Sequence, residues 1–492
     1  MKANITQAAP APSSQAALPL QASPHPISSV PVSSAPAPAP VPAPTPAPTP
    51  AASQGSHGLS IKMLEGMLEQ KPRDPNVWSA LGALLRQAGK PEAAIACQRR
   101  ALEIDQRHVG AWTNLGNVLG DVEQYADAIA AQEHAVVLSG GNANLLSNLV
   151  VALRHGCRFN RALEILDVAL RARPNDPGLL WDRALTLLQV GRYAEGFRDY
   201  DSRLSLPSYQ NRIADGTMWD GGPLDGKTIL LTTEQGFGDV LLTARYAPMV
   251  KARGGRVLLE CHPELHRLLS GLEGIDGFVR AGTPYPHYDV HCPLMSLPHR
   301  LGTTIDTVPP PTRLTVPAEA REKAARLVPG PDGTIKVGII WSGRVTFKDN
   351  ARRATTLSRF LRFLNVPNVR LYSIQKGPPE TELETLGTST LITPLGQHFN
   401  DFADTAAVLE RLDLVIMTDS SVAHLAGSLG RPVWNLLQFM PYWVYGDGKG
   451  EWADTTPWYP SMRLFRQTTP GDWDSVFAAA EQALRQLVAL RT

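Results

Sequence analysis

The chain has 492 residues, 43% of them hydrophobic, which is enough for two or three hydrophobic cores. Its 47 Lys and Arg residues nearly balance its 46 Asp and Glu residues, so the composition excludes a strongly basic protein that binds nucleic acid or a membrane surface. The four cysteines show no metal-ligand spacing and suit a reducing compartment. No apolar run is long enough to cross a bilayer, and no signal peptide is evident. We therefore expect a cytoplasmic protein without a transmembrane segment.

Residues 1–57 are mostly Pro, Ala and Ser, and residues 35–50 alternate Pro with small side chains. Such a segment buries too little apolar surface to offset its chain entropy. It predicts a disordered tail with polyproline II character, which serves as a linker or, alternatively, as a recognition segment.

Residues 58–206 contain a repeat with a period of 34 residues. The segment 78–85 (Trp-Ser-Ala-Leu-Gly-Ala-Leu-Leu) recurs in part as 112–119, and Ala94 recurs as Ala128 and Ala162. One position in each unit carries Pro or an aromatic residue, in the order Pro91, Tyr125, Phe159 and Tyr193. Two helices of about a dozen residues with their turns fill this period, as in the tetratricopeptide repeat (TPR). The pattern predicts an all-α solenoid of about four repeats, whose groove binds a protein partner or serves only as a scaffold.

After the repeats, short β-branched runs alternate with helical stretches, which is typical of βαβ units and parallel sheets. The predicted strands of a first half (207–318) are residues 228–233, 256–260 and 276–280. Those of a second half (319–492) are residues 336–341, 369–374, 390–393, 412–417 and 432–437, with a final helix over 473–490. We expect two Rossmann-type domains that face each other, with ligands at the carboxyl ends of the strands.

The first candidate motif is residues 234–239 (Glu-Gln-Gly-Phe-Gly-Asp), between a predicted strand and a predicted helix. Gly236 and Gly238 allow a tight turn and close approach of a ligand to the backbone. No third glycine follows, so this is not a dinucleotide-binding pattern. The carboxylate of Asp239 would repel a phosphate. It either stabilises the N-terminus of the helix or acts in the cleft as a general base.

The second candidate motif is residues 418–421 (Thr-Asp-Ser-Ser), after another predicted strand and before a helix. A helix N-terminus binds anions, so Asp419, Ser420 and Ser421 are candidates for a phosphate-binding turn. Helix capping explains Asp419 or Ser420 equally well. His424, one turn later, is either a ligand contact or a structural histidine.

A third group is basic and polar. Lys348 and Arg352, with Arg353 beside it, lie in the loop after the strand 336–341 and suit a diphosphate, although a solvated charged loop is the alternative. Gln375 and Lys376 follow the strand 369–374 and are further candidates for contact with the same ligand.

These motifs occur in an order that resembles glycosyltransferase family 9, the ADP-heptose:lipopolysaccharide heptosyltransferases, and more narrowly bacterial TPR proteins with such a domain. The segments that carry the resemblance are residues 234–239, 244–246, 336–343, 373–377, 401–405, 418–427 and 429–433. The resemblance implies a GT-B fold for the α/β part. The combination with repeats also resembles the O-linked N-acetylglucosamine transferases in architecture.

By this resemblance, Asp239 is the base that deprotonates the acceptor. Lys348 and the turn at Asp419 with its helix hold the donor diphosphate. The resemblance also implies that the nucleotide-sugar is a substrate and that neither a cofactor nor a metal is needed. We expect sugar transfer to a protein or glycan acceptor recruited by the repeats. The alternatives are an inactive transferase-like domain in a TPR adaptor and, more weakly, an epimerase-like protein, which the absent dinucleotide glycine pattern disfavours.

Overall fold

A computed structural model describes residues 50–209, 214–234, 236–347, 349–446 and 453–491, with side chains from residue 60 onward. Most of the predicted tail and Lys348 lie outside these residues. The first helix begins at Pro50, inside the segment predicted as tail.

The N-terminal part is a series of antiparallel helices. These are α1 (Pro50–Gln70), α2 (Pro75–Gln87), α3 (Pro91–Ile104), α4 (Val109–Asp121), α5 (Tyr125–Leu138), α6 (Ala143–His155), α7 (Phe159–Ala172), α8 (Pro177–Gln189) and α9 (Tyr193–Tyr200). The pairs α2–α3, α4–α5, α6–α7 and α8–α9 are the first to fourth repeats. Equivalent helices begin 34 residues apart, so the predicted period is confirmed.

The residue before the first helix of each repeat caps that helix. Asp74, His108, Asn142 and Asp176 occupy this position, and each side chain accepts a hydrogen bond from a backbone N–H of the first turn. Such bonds satisfy amides that have no partner inside the helix. Alanines without exposed surface, among them Ala94, lie where helices cross closely. The repeat sequence therefore determines both where the helices start and how near they pack.

Two parallel sheets follow the repeats. The first contains β1 (Thr217–Met218), β2 (Thr228–Thr232), β3 (Arg256–Cys261), β4 (Gly277–Arg280) and β5 (Val290–Pro293), in the order β1-β5-β2-β3-β4. The second contains β6 (Ile335–Ile340), β7 (Val369–Ser373), β8 (Ile392–Pro394), β9 (Leu414–Thr418), β10 (Val433–Leu437) and β11 (Met462–Arg466), in the order β11-β10-β9-β6-β7-β8. The predicted fold class, helical repeats followed by a parallel-sheet α/β region, is confirmed, although β1, β5 and β11 were not predicted.

The helices of this part lie between the strands or, for the last one, after β11. They are α10 (Phe237–Thr243), α11 (Ala247–Lys251), α12 (Pro263–Leu269), α13 (Leu297–Arg300), α14 (Ala318–Leu327), α15 (Asn350–Arg353), α16 (Leu357–Phe360), α17 (Glu382–Thr385), α18 (Phe402–Leu409), α19 (Ser421–Ser428) and α20 (Trp473–Ala489). The strand order reverses between β2 and β5 in the first sheet and between β6 and β9 in the second. Ligands bind beyond the carboxyl ends of strands at such reversals, which is where α10 and α19 begin.

The fourth repeat shares one hydrophobic core with both sheets. Tyr193 and Phe197 pack against Trp443 and Trp458, and the indole N–H of Trp458 donates a 2.9 Å hydrogen bond to the Tyr193 hydroxyl. These tryptophans therefore have a structural role.

A buried ion pair joins the end of the repeats to the first candidate motif. Arg203, in the 3₁₀ turn Asp201–Ser205, has no exposed surface, and its Nε donates a 3.0 Å hydrogen bond to the Glu234 carboxylate. Its other nitrogens contact Asp201 and Ser296. Burial is tolerated because the charge is paired and hydrogen-bonded.

We predict that Arg203→Leu lowers the free energy of unfolding by about 3–5 kcal/mol, because Glu234 stays buried without the guanidinium. The double variant Arg203→Leu/Glu234→Leu should recover part of this loss. Urea denaturation measures both effects. The control is Arg100→Ala, which removes an exposed pair with Glu103 and should cost less than about 1 kcal/mol. Equal losses in Arg203→Leu and the control would contradict the prediction.

Candidate functional site

Asp239 lies in the first turn of α10, at the carboxyl end of β2 and at the contact between the two sheet regions. Its Oδ2 accepts a 3.1 Å hydrogen bond from the Gly236 amide, so it caps the helix as one interpretation expected. Its Oδ1 accepts a 3.3 Å hydrogen bond from the hydroxyl of Tyr442, which belongs to the second sheet region. Asp239 therefore caps α10 with one carboxylate oxygen and contacts the second sheet region with the other.

Removal from water raises the pKa of Asp239 to about 6, and the negative charges of Glu234 and Asp419 add to the effect. The hydrogen bonds from Gly236 and Tyr442 act in the opposite direction. A carboxylate with a pKa near neutrality is well matched to general-base chemistry, because it is ionised yet still accepts a proton readily.

Gly238 sets the distance between the sheet regions. A Cβ at this position would lie 2.8 Å from Cδ2 of His424 and 3.5 Å from Cα of Ser421, both in α19. Gly238 therefore faces the partner helix rather than an open ligand space. Gly236 caps α10, and a Cβ there would meet only the Asp239 Oδ2, at 3.8 Å.

The second motif lies on the opposite side of this contact. Asp419 is buried, its Oδ2 is 3.0 Å from Nη1 of Arg353, and its Oδ1 accepts a 3.1 Å hydrogen bond from the Tyr445 hydroxyl. The guanidinium neutralises the carboxylate, so Asp419 does not repel an anion at this turn. Ser420 caps α19 and accepts a 3.4 Å hydrogen bond from the Val422 amide. Ser421 is the first residue of the helix and is partly exposed.

His424 is buried within the same network. Its Nδ1 lies 3.0 Å from the Tyr459 hydroxyl, and its Nε2 lies 3.4 Å from the Tyr445 hydroxyl. Burial lowers the pKa of His424 to about 4, and the cations Arg245 and Arg353 lower it further, against the attraction of Asp419. His424 is thus a neutral imidazole that supports α19 and the tyrosines.

Two predicted site residues have structural partners instead. The amide Oε1 of Gln375 accepts hydrogen bonds from the amides of Trp341 and Ser342, and its Nε2 donates to the carbonyl of Ser342. Gln375 therefore fixes the loop after β6. The Nζ of Lys376 donates to the carbonyl of Phe399 at 2.5 Å. Both residues thus have partners within the protein, and their contact with the donor stays a prediction.

Arg352 points to the repeats, not to the Asp419 turn. Its Nη2 donates a 3.0 Å hydrogen bond to the carbonyl of Gly120, and its Nη1 lies 3.1 Å from Nδ1 of His155. The structure places Arg352 against the repeats, and its contact with the donor stays a prediction. Lys348 lies outside the described residues, so its role stays a prediction.

Arg353, the other arginine of the predicted basic loop, is the one that lies at the Asp419 turn, with its Nη1 3.0 Å from Oδ2 of Asp419. Its guanidinium carbon lies 4.3 Å from the centre of the Phe347 ring, and its Nε is buried without a hydrogen-bond partner in the described parts of the chain. Tyr442, which contacts Asp239, was missed as a site residue. Only the position of its loop after a strand end could have indicated its role.

The site combines a half-buried carboxylate on one side with a cation, a hydroxyl-bearing turn and a helix N-terminus on the other. The first can accept a proton, and the others can hold an anion. Among the described residues no group of His, Cys, Asp and Glu side chains is arranged to hold a metal ion.

Comparison with known proteins identifies the repeats. The family model of the tetratricopeptide repeat matches residues 75–108, which are the first repeat and the turn that follows it. Residues 75–108 are a TPR. The TPR protein YrrB, whose structure is described as having an unusual peptide-binding site, is 23% identical, with a TM-score of 0.26 over 30% of this chain and 77% of YrrB.

Two further relatives extend beyond the TPR region. Protein FlbA of Caulobacter vibrioides is 29% identical over 371 residues, which are 67% of this chain and 59% of FlbA. The chain therefore spans less than two thirds of the length of this relative. The glycosyl transferase family 9 protein from Veillonella parvula is 13% identical, with a TM-score of 0.41 over 56% of this chain and 100% of that protein. No helix in the described part of the chain has the length and hydrophobicity of a membrane span.

We predict that Gly238→Ala lowers the free energy of unfolding by about 1–3 kcal/mol, because the added methyl group overlaps His424 and forces α10 away from α19. Gly236→Ala, in the same motif, is the matched control, since the added methyl group meets no atom closer than 3.8 Å. Thermal and urea unfolding measure both variants. Equal losses in the two variants would show that the helices do not need this close approach.

We predict that the contribution of His424 to stability is lost as the pH falls from 6.5 to about 4, because unfolded His424 takes up a proton that the folded site resists. The contribution is fully present above the unfolded pKa of 6.5 and is on the order of 3 kcal/mol. Asp239, whose folded pKa is raised, acts in the opposite direction. Urea denaturation across this range, compared with His424→Gln, isolates the histidine. If the free energy of unfolding of His424→Gln had the same pH dependence as that of the unsubstituted protein, the predicted contribution of His424 would be refuted.

Proposed function

We propose that the chain is a nucleotide-sugar-dependent glycosyltransferase of the GT-B, family-9-like type. The observation that carries the proposal is the meeting of Asp239 with the anion-binding turn of α19. Gly238 packs directly on Ser421 and His424, so the carboxylate of the first sheet region lies beside the helix N-terminus of the second. The order of the sequence motifs along residues 225–470 supports the same function.

In this reaction Asp239 takes the proton of an acceptor hydroxyl, and the acceptor oxygen attacks the anomeric carbon of the donor sugar. The bond from that carbon to the phosphate oxygen breaks, with inversion, and the nucleoside diphosphate departs. Arg353, the hydroxyl groups of Ser420 and Ser421, and the N-terminus of α19 stabilise its charge. Lys348 supplies a further cation. The nucleotide-sugar is a substrate, and the step uses neither a cofactor nor a metal.

The repeats give the acceptor a place to bind. An open groove of about 730 Å³ lies between α3, α4 and α5 and is lined in part by Arg99, Arg107, Trp112 and His134. The indole of Trp112 stacks on the imidazole of His134 with ring centres 4.5 Å apart. A protein or glycan acceptor bound at the TPR region would thus be held by the same chain that carries the site. The same region could bind a separate protein partner. We propose that the protein acts in the cytoplasm.

We predict that Asp239→Asn lowers kcat by about 10²–10⁴-fold, because the amide cannot accept the acceptor proton, whereas donor affinity changes little. Calorimetry with UDP-, GDP-, ADP-, CMP- and dTDP-linked sugars finds the donor, and release of the nucleotide measures turnover. In the unsubstituted protein kcat/KM should rise with pH through about 6, as Asp239 ionises, and then level off.

The control variant is Asp127→Asn, which removes an exposed acid from the first turn of α5, a TPR helix, and should leave turnover unchanged. Loss of donor binding in Asp239→Asn would assign the carboxylate to binding and remove it as the base. If the folded protein binds none of the donors, the transferase proposal fails, and the alternative of a non-catalytic TPR adaptor replaces it.

A further inference from the structure

Arg352 lies at the ends of two TPR helices. Gly120, whose carbonyl it binds, is in the last turn of α4, and His155 is the last residue of α6. The Oδ1 of Asp121 is 3.6 Å from Nη2. Carbonyls in the last turn of a helix lack a partner within it and carry partial negative charge. Two helix ends from successive repeats therefore hold one guanidinium.

His155 is suited to accept this bond. A guanidinium has no acceptor, so Nδ1 of His155 must be unprotonated. Burial, with the charges of Arg154 and Arg352, lowers the pKa of His155 to about 3, which keeps the imidazole neutral. The contact is therefore compatible with any physiological pH.

The turns next to these helix ends have an unusual backbone. The turn between the two helices of a repeat contains one residue with positive φ, and in the four repeats these are Gly89, Glu123, Cys157 and Gly191. Only the second and third repeats, which hold Arg352, have a residue with a side chain there. Such a residue costs about 1 kcal/mol or more relative to glycine. Burial raises the pKa of Glu123, and the positive charge of Arg352 nearby opposes this rise.

Arg352 and Arg353 share α15, a helix of four residues. Arg352 extends to the repeats, and Arg353 pairs with Asp419 at the start of α19. The loop that leads to α15 is tied to the same place, since the Gly343 amide donates a 3.1 Å hydrogen bond to Oδ1 of Asn350. A fixed Arg352 therefore restricts the positions that Arg353 can take.

We propose that Arg352 is a positioning residue: the ends of the second and third TPRs hold it, and it thereby places Arg353 to bind the donor diphosphate. The repeats are then part of the donor site. This inference rests on the proposed function, since it assigns the diphosphate to Arg353.

The test compares Arg352→Ala, Arg352→Lys and Arg183→Ala in the full chain. Arg183 binds Asp199 and Asp167 within the repeats, so its loss controls for general weakening of the TPR region. Calorimetry with UDP, GDP and ADP measures affinity, and amide hydrogen exchange of residues 341–356 measures the order of the loop without any ligand.

We expect Arg352→Ala to speed exchange in residues 341–356 and to weaken the diphosphate that binds by about tenfold. In turnover, the KM for the donor should rise by the same factor while kcat changes less than about twofold. Arg352→Lys, which keeps the charge but not the two-sided hydrogen bonding, should recover part of both effects. Arg183→Ala should change neither.

Unchanged exchange in Arg352→Ala would overturn the positioning role whatever the chain binds. Faster exchange with unchanged affinity would overturn it while leaving the proposed function intact. Lost affinity with unchanged exchange would mean that Arg352 contacts the ligand itself, which also contradicts the inference. If the unsubstituted protein binds no diphosphate although Arg352→Ala loosens the loop, the proposed function fails, and the donor-site role of Arg352 fails with it.

Discussion

The close approach of α10 and α19 is the constraint on which the rest of the α/β region depends. Two parallel sheets each present their strand ends and the helix that follows them, and these helices touch because Gly238 has no side chain. Asp239, the next residue, then reaches Tyr442 of the other region. The proposed catalytic carboxylate and anion-binding turn would need such fixed proximity, because an error of about 1 Å in the placement of reacting groups slows a reaction strongly.

Burial at this contact would be unfavourable for isolated charges. The acidic and imidazole side chains there are either paired with an opposite charge or neutral, with one exception. Asp419 is neutralised by Arg353, and Glu234 is paired with Arg203. His424 gives up its proton, so it adds no charge to the interior. Asp239 is the exception, since its partners are an amide and a hydroxyl and its pKa rises. Asp239 therefore has a raised pKa and no cation paired with it in the described parts of the chain, whereas Asp419 and Glu234 are paired with arginines. Titratable groups with such perturbed pKa values are often found at functional sites.

Much of the fold could be predicted from the sequence because its signals are local. The 34-residue period, the helix caps and the continuous apolar strands of parallel sheets can each be read within one short segment. The strands that escaped prediction lack this signal: β1 has two residues, β5 contains His291 and Pro293, and β11 contains Arg463 and Arg466. Asp239 and Ser420 could be recognised because a strand end and a helix start bracket them. The contacts of Arg352 and Gln375 could not, since the first depend on repeat residues about 200 positions away and the second on the loop after the neighbouring strand β6.

The attachment of the repeats has a consequence for how this chain can evolve. Solenoids usually gain and lose units freely, because each unit contacts only its neighbours. Here the second and third repeats hold Arg352, and the fourth binds Pro441 through Gln189 and Trp458 through Tyr193. If one repeat were inserted or deleted between the second and the fourth, the contacts with Arg352 and the contacts with Pro441 and Trp458 would be displaced from each other by a full repeat. Both sets could then not form together. The number of repeats in this stretch is therefore fixed by the α/β region, and only the N-terminal end of the solenoid, before α4, is free to lengthen.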